Sequence, residues 1–70
     1  MLSYEKLLNC GFGKAGNWYY NSRISVNLAG WYIKSIDKRL QFEISSEKPF
    51  TFEFIQELDE LTKKLLDKIG

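Results

Sequence analysis

These 70 residues contain no histidine, one cysteine and one proline. Without histidine, the Ser-His-Asp triad, the Cys–His pair and the usual zinc cages are excluded. A lone Cys10 cannot close an internal disulfide, so the fold must rest on packing. Such a residue suits a reducing compartment and is expected as a small buried hydrophobe. No apolar run approaches the roughly 18 residues of a transmembrane helix, so no membrane partner is expected. Met1-Leu2-Ser3-Tyr4-Glu5-Lys6 places charge where a secretory leader needs its apolar stretch. The expected location is therefore cytoplasmic. An excess of one charge is lacking too. Ten Lys and Arg against nine Asp and Glu leave +1, too little for committed sequence-independent phosphate binding.

What remains is apolar and ring-rich, 44% hydrophobic and 16% aromatic, the composition of a folded domain. The length allows one domain, residues 1–70, which buries only about 60% of its unfolded surface and so has a thin core.

Residue order sets the elements. Ser3 is an N-cap type, followed by a short helix over residues 4–10. Gly11 falls where a left-handed residue ends a helix, and Phe12 where it can fold back on Leu7. Residues 13–17, with two glycines and an asparagine, suggest a loop. Trp18-Tyr19-Tyr20 is strand-prone, with a tight turn expected at Asn21-Ser22. Ile24, Val26 and Leu28 then alternate with polar residues as a half-buried strand. Trp31 to Ile36 is a further strand of open facing. Trp31 and Ile33 mark one face, Tyr32, Lys34 and Ile36 the other, and a bulge is one way to switch them. After a turn at Asp37-Lys38-Arg39, Leu40, Phe42 and Ile44 point one way with Gln41, Glu43 and Ser45 opposite. Pro49 ends the sheet region.

Residues 50–54 fit either a strand or a helix start. Beyond them Phe54, Ile55, Leu58, Leu61, Leu65, Leu66 and Ile69 fall within about 140° of a helical wheel, which predicts an amphipathic C-terminal helix. The expected fold is α+β: a small antiparallel sheet of three to four strands against a C-terminal helix, with a short N-terminal helix. One helix covers about one face of a sheet, so the other face is expected to look outward.

Gly11-Phe12-Gly13-Lys14-Ala15-Gly16 spells G-x-G-x-x-G. The dinucleotide form requires a strand before it and a helix after it, and here the order is reversed. The serines have no histidine base, and most carboxylates fall on the exterior of the last helix. No catalytic, cofactor-binding or metal-ligating residue is assigned, and the chain is expected not to be an enzyme.

Two surface features stand out. Residues 14–39 hold five positive charges and one negative among five large rings. Alternation buries about half of those rings, leaving two or three outside. The candidate binding residues on the sheet are Trp18, Tyr20, Arg23, Trp31, Tyr32 and Lys34. Rings and cations together suit a protein hot spot or a single-stranded nucleic acid. Residues 43–61 are the acidic counterpart, six carboxylates against Lys48. Glu53, Glu57 and Glu60 form a helix stripe suited to a basic groove on a partner.

Tyr4-Glu5-Lys6-Leu7-Leu8 before a Gly-Phe ending, the Trp18-Tyr19-Tyr20-Asn21 strand, Gly30-Trp31-Tyr32-Ile33 and Leu58-Asp59-Glu60-Leu61 are arranged as in another group of proteins. The layout resembles small accessory proteins of phages and mobile elements, some of which are anti-CRISPR inhibitors. The resemblance implies a stoichiometric protein-binding inhibitor that occupies a host nucleic-acid-processing protein such as a CRISPR effector. It assigns no functional residue. The alternative expectation is a single-stranded nucleic-acid binder using the sheet rings, and the third a structural subunit that forms homo-oligomers.

Overall fold

A computed structural model describes residues 4–70. The proposed Ser3 cap lies outside the described residues. Helix α1 (Lys6–Asn9) ends as its sequence requires. Gly11 takes φ +92°, the Gly11 N–H donates to the Leu8 carbonyl, and the Phe12 N–H donates to the Leu7 carbonyl at 3.1 Å. That is the paired bonding of a Schellman ending. It turns Leu7 and Phe12 into the same core. Cys10 caps this helix and is exposed, against the expectation of burial, because Leu7 already carries the short helix's inward contact.

Five antiparallel strands follow in chain order: β1 (Gly13–Ala15), β2 (Trp18–Tyr20), β3 (Ile24–Asn27), β4 (Tyr32–Ser35) and β5 (Glu43–Ser45). The expected three to four strands are five because residues 13–15, expected in a loop, pair with β2. Gly16 at φ +60° makes the reversal, leaving only Gly16-Asn17 between the strands. The β2–β3 turn is held by Asn21, whose Oδ1 accepts from the N–H groups of Arg23 and Ile24 at 2.8 and 2.9 Å. Asn27 does the same after β3, accepting from Ala29 and Gly30.

The register settles the facing of β4. Ile33 pairs with Val26, and Lys34 with Ser25, with no bulge to switch them. Trp31 is not part of the strand. It sits in the preceding turn at φ +49°, a left-handed conformation costing an L-residue about 1–2 kcal/mol. Its ring packs on Tyr4 and Phe50, with centroids at 5.8 and 6.1 Å.

Helix α2 (Phe52–Ile69) starts where Thr51 Oγ1 accepts from the Phe54 N–H at 3.0 Å, so Phe52 is its first residue. Ile55, Thr62 and Leu66 are its buried line, and the Thr62 hydroxyl is satisfied by donating to the Leu58 carbonyl at 2.7 Å. Strands of three or four residues are too short to cover the whole apolar stripe. Phe54, Leu61, Leu65 and Ile69 therefore stay 39–54% exposed. The core proper is Leu7, Phe12, Tyr19, Ile24, Val26, Ile33, Phe50 and Ile55. The architecture is α+β, and no helix of the described residues is long and apolar enough to cross a membrane.

Candidate functional site on the outer sheet face

Strand alternation and register together sort the rings. Tyr19, Val26, Ile33 and Ile44 share cross-strand positions on the face that closes the core. The opposite face is built from two rows running across the strands. One row is Ala15, Trp18, Asn27, Tyr32 and Ser45; the other is Gly13, Tyr20, Ser25, Lys34 and Glu43. Of the five large rings in residues 14–39, three face outward, within the expected two or three.

The outer rings are ordered by one another. Trp18 meets Tyr32 edge-on across β3, with centroids 6.4 Å apart. Lys34 Nζ lies 5.4 Å from the centre of the Trp18 ring, a cation–π contact made diagonally across the same strand. Tyr20 is 42% exposed and its ring lies over Gly13, where an added Cβ would come within 2.8 Å of Cζ. Ser25, flanked by Tyr20 and Lys34, is buried. Glu43 stands beside Lys34 in the register. The nearby Glu43 carboxylate, more than desolvation, holds the Tyr32 phenol above its ordinary pKa.

The three glycines of the G-x-G-x-x-G spelling thus have separate local duties. Gly11 ends a helix, Gly13 accommodates the Tyr20 ring, and Gly16 turns a hairpin.

Two expected members do not share this face. Arg23 belongs to the β2–β3 turn and reaches the helix side, where Nε and Nη2 donate to the two Asp59 carboxylate oxygens at 2.8 and 3.0 Å. Asn21 Nδ2 donates to the same carboxylate at 3.0 Å. Burial pushes the Asp59 carboxyl up, but these hydrogen bonds and the Arg23 charge leave it below its ordinary value. Trp31 is absent from the face because its left-handed backbone turns the ring into the α1–Phe50 corner. Alternation alone could not place either residue, since both lie in turns.

The basic excess of residues 14–39 is likewise dispersed. Lys14 Nζ lies over the inward-facing Tyr19 ring at 5.7 Å, and Arg39 is tied to Asp37 at 2.8 Å. Only Lys34 of the five cations shares the ring face, beside Glu43. The acidic stripe is as expected on α2: Glu53, Glu57 and Glu60 are exposed, and the described ion pairs, Arg23–Asp59 and Arg39–Asp37, use none of them. Sequence reasoning passed over Glu43. Its position opposite the Leu40, Phe42 and Ile44 parity already turned it outward, and only the pairing with Lys34 was missing. Among the described residues, no three Cys, Asp or Glu side chains gather as a metal-binding cluster.

Compared with protein-family models, curated proteins and solved structures, the chain matches none.

Proposed function

We propose that this chain is a non-enzymatic protein-binding module that occupies its partner through the outer sheet face. The observation that carries the reading is the convergence of Trp18, Tyr20, Tyr32 and Lys34 on a face that no element covers. Rigid rings with polar tips give large contact area at low entropic cost, the chemistry of protein hot spots. Asn27, Glu43 and Ser45 surround them with hydrogen-bonding groups, and the face carries only one charge of each sign. That neutral, ring-centred surface suits a folded protein surface better than a phosphate backbone. Lys34 already lies on the Trp18 ring, where a stacking base would have to displace it. In keeping with the phage-type resemblance, the partner class is a host nucleic-acid-processing protein, and occupancy of its working surface is the mode of inhibition.

Capture from a host lysate on immobilised protein tests this. Trp18→Ala with Tyr32→Ala is expected to lower recovery of the captured protein at least about tenfold while leaving the circular dichroism spectrum unchanged. Capture unaffected by that pair removes the outer face from consideration. Tryptophan quenching by a single-stranded oligonucleotide, falling steeply as salt rises, replaces the reading with the nucleic-acid one.

A further inference from the structure

Helix α2 buries Ile55, Thr62 and Leu66, and exposes a second line beside them. That line is the exposed Phe54, Leu61 and Leu65 with the half-buried Leu58 between them, spaced four, three and four residues apart, the a/d repeat of a coiled-coil seam. Leu61 is 54% exposed, Phe54 40% and Leu65 39%. Between this line and the β5 side of the sheet runs a groove of about 320 Å³ with an apolar lining of Leu40, Phe42, Ile44, Leu58, Leu61 and Leu65.

The charges along the seam identify what fits it. In heptad terms Glu57 and Lys64 both take the g position, while Ile55 and Thr62 take e and face the sheet. An antiparallel helix pair sets g against g and e against e; a parallel pair sets g against e. Two copies of α2 laid antiparallel therefore bring Glu57 to Lys64 of the second copy, and the symmetry makes that ion pair twice. The same arrangement layers Phe54 with Leu65 and Leu58 with Leu61. It also puts both e flanks, and so both sheets, on one side of the helix pair, where the two grooves meet. Elsewhere on that flank Glu53 and Glu60 stand in the first half of the helix and Asp67 in the second, while Lys68 takes the d position after Leu65, so the Glu57–Lys64 pair carries the charge complementarity. Such a surface is complementary to itself, and a formal charge of +1 opposes association very little.

We infer that this chain forms a two-fold dimer through antiparallel pairing of α2, the groove of each copy closed by the seam of the other. This interface stands apart from the outer sheet face and does not depend on the partner proposed for it. Sedimentation equilibrium from micromolar to millimolar concentration is expected to show the 8.2 kDa chain rising toward twice that mass. Leu61→Glu, at a side chain the core does not need, is expected to hold the chain monomeric with unchanged circular dichroism. Glu57→Lys and Lys64→Glu are each expected to weaken the dimer at least about tenfold, and the double reversal to restore it. A wild-type chain that stays monomeric at millimolar concentration overturns the proposal. So does a dimer indifferent to Leu61→Glu. Failure of the double reversal to recover what each single reversal lost overturns the antiparallel pairing.

Discussion

The two faces of this sheet are made by alternating residues of the same strands, yet they solve opposite problems. The inner face is mainly aliphatic, with Ile24, Val26 and Ile33 fully buried beside the Tyr19 ring and against Leu7 of α1 and Ile55 of α2. The outer face is aromatic and hydroxylated, and its order comes from ring–ring and ring–cation contacts instead of burial. Stability thus resides on one side of each strand and the capacity to bind on the other. Because neighbouring positions differ so sharply, a one-residue slip would exchange the two faces, and a buried inner face specifies the register strongly.

The largest effect expected follows directly. Ile33→Ala removes a fully buried side chain at the centre of the inner face, where little can collapse into the space. It is expected to cost about 2–5 kcal/mol, a large share of what so small a domain has. Lys34→Ala, one position away on the outer face, is expected to cost well under about 1 kcal/mol. Urea unfolding of the two variants measures the contrast directly. Equal losses would mean that the outer face is also structural, and the division between the faces would fail.

A smaller effect is expected where the inner face is pinned to the helix by charge. Arg23 and Asp59 are separated by 36 positions in the chain and joined by two hydrogen bonds. With side-chain exposures of 26% and 13%, this pair is sheltered but not dry. Arg23→Ala leaves the Asp59 carboxylate with Asn21 alone and is expected to cost about 1–3 kcal/mol of stability. Partner capture by the folded variant should be unchanged, because Arg23 is on the wrong side of the sheet to touch a ligand there. Loss of capture with full stability would return Arg23 to the binding surface and blur the division.

How much of this was legible beforehand depends on whether the residues sit in a periodic stretch. The C-terminal helix, the Leu7-Gly11-Phe12 ending, the β2 and β3 strands and the outward Glu43 follow from local pattern, and the structure contains all of them. Strand β1 was missed because its residues are small and polar, and only pairing with the ring-rich β2 makes them a strand. Trp31 and Arg23 were misplaced for a different reason. Each lies in a turn, where facing depends on backbone conformation and on a partner far along the chain. The apolar stripe of α2 was legible as a stripe, but its buried width was not, since that depends on the length of the strands beneath. For the candidate site, Trp18 and Tyr20 emerge from alternation, whereas the outward facing of Tyr32 and Lys34 and the mutual geometry of all four come from the register.

The smallest effect expected lies in the acid response of the two ion pairs. Hydrogen bonds from the Arg39 side chain and backbone lower the Asp37 pKa from 3.8 to about 2. Asp59 is lowered as well, by Arg23 and Asn21 working against its burial. A carboxylate with a depressed folded-state pKa is protonated first in the unfolded chain. Its contribution is therefore complete above its ordinary value and disappears as pH falls through the folded one. Urea midpoints should hold steady at mildly acid pH and fall between 3.8 and about 2. Asp37→Asn is expected to flatten that decline only slightly, because Arg39 is 54% exposed and the pair spans two residues of a single turn. Asp59→Asn should flatten it more, since its pair fastens α2 to the β2–β3 hairpin. Added salt should weaken the Asp37 part first, as an exposed pair is screened more than a sheltered one. If Asp37→Asn instead removed most of the acid dependence, the β4–β5 turn would be the pH-sensitive fastening, and the inner side of the sheet would owe less to charge than its geometry indicates.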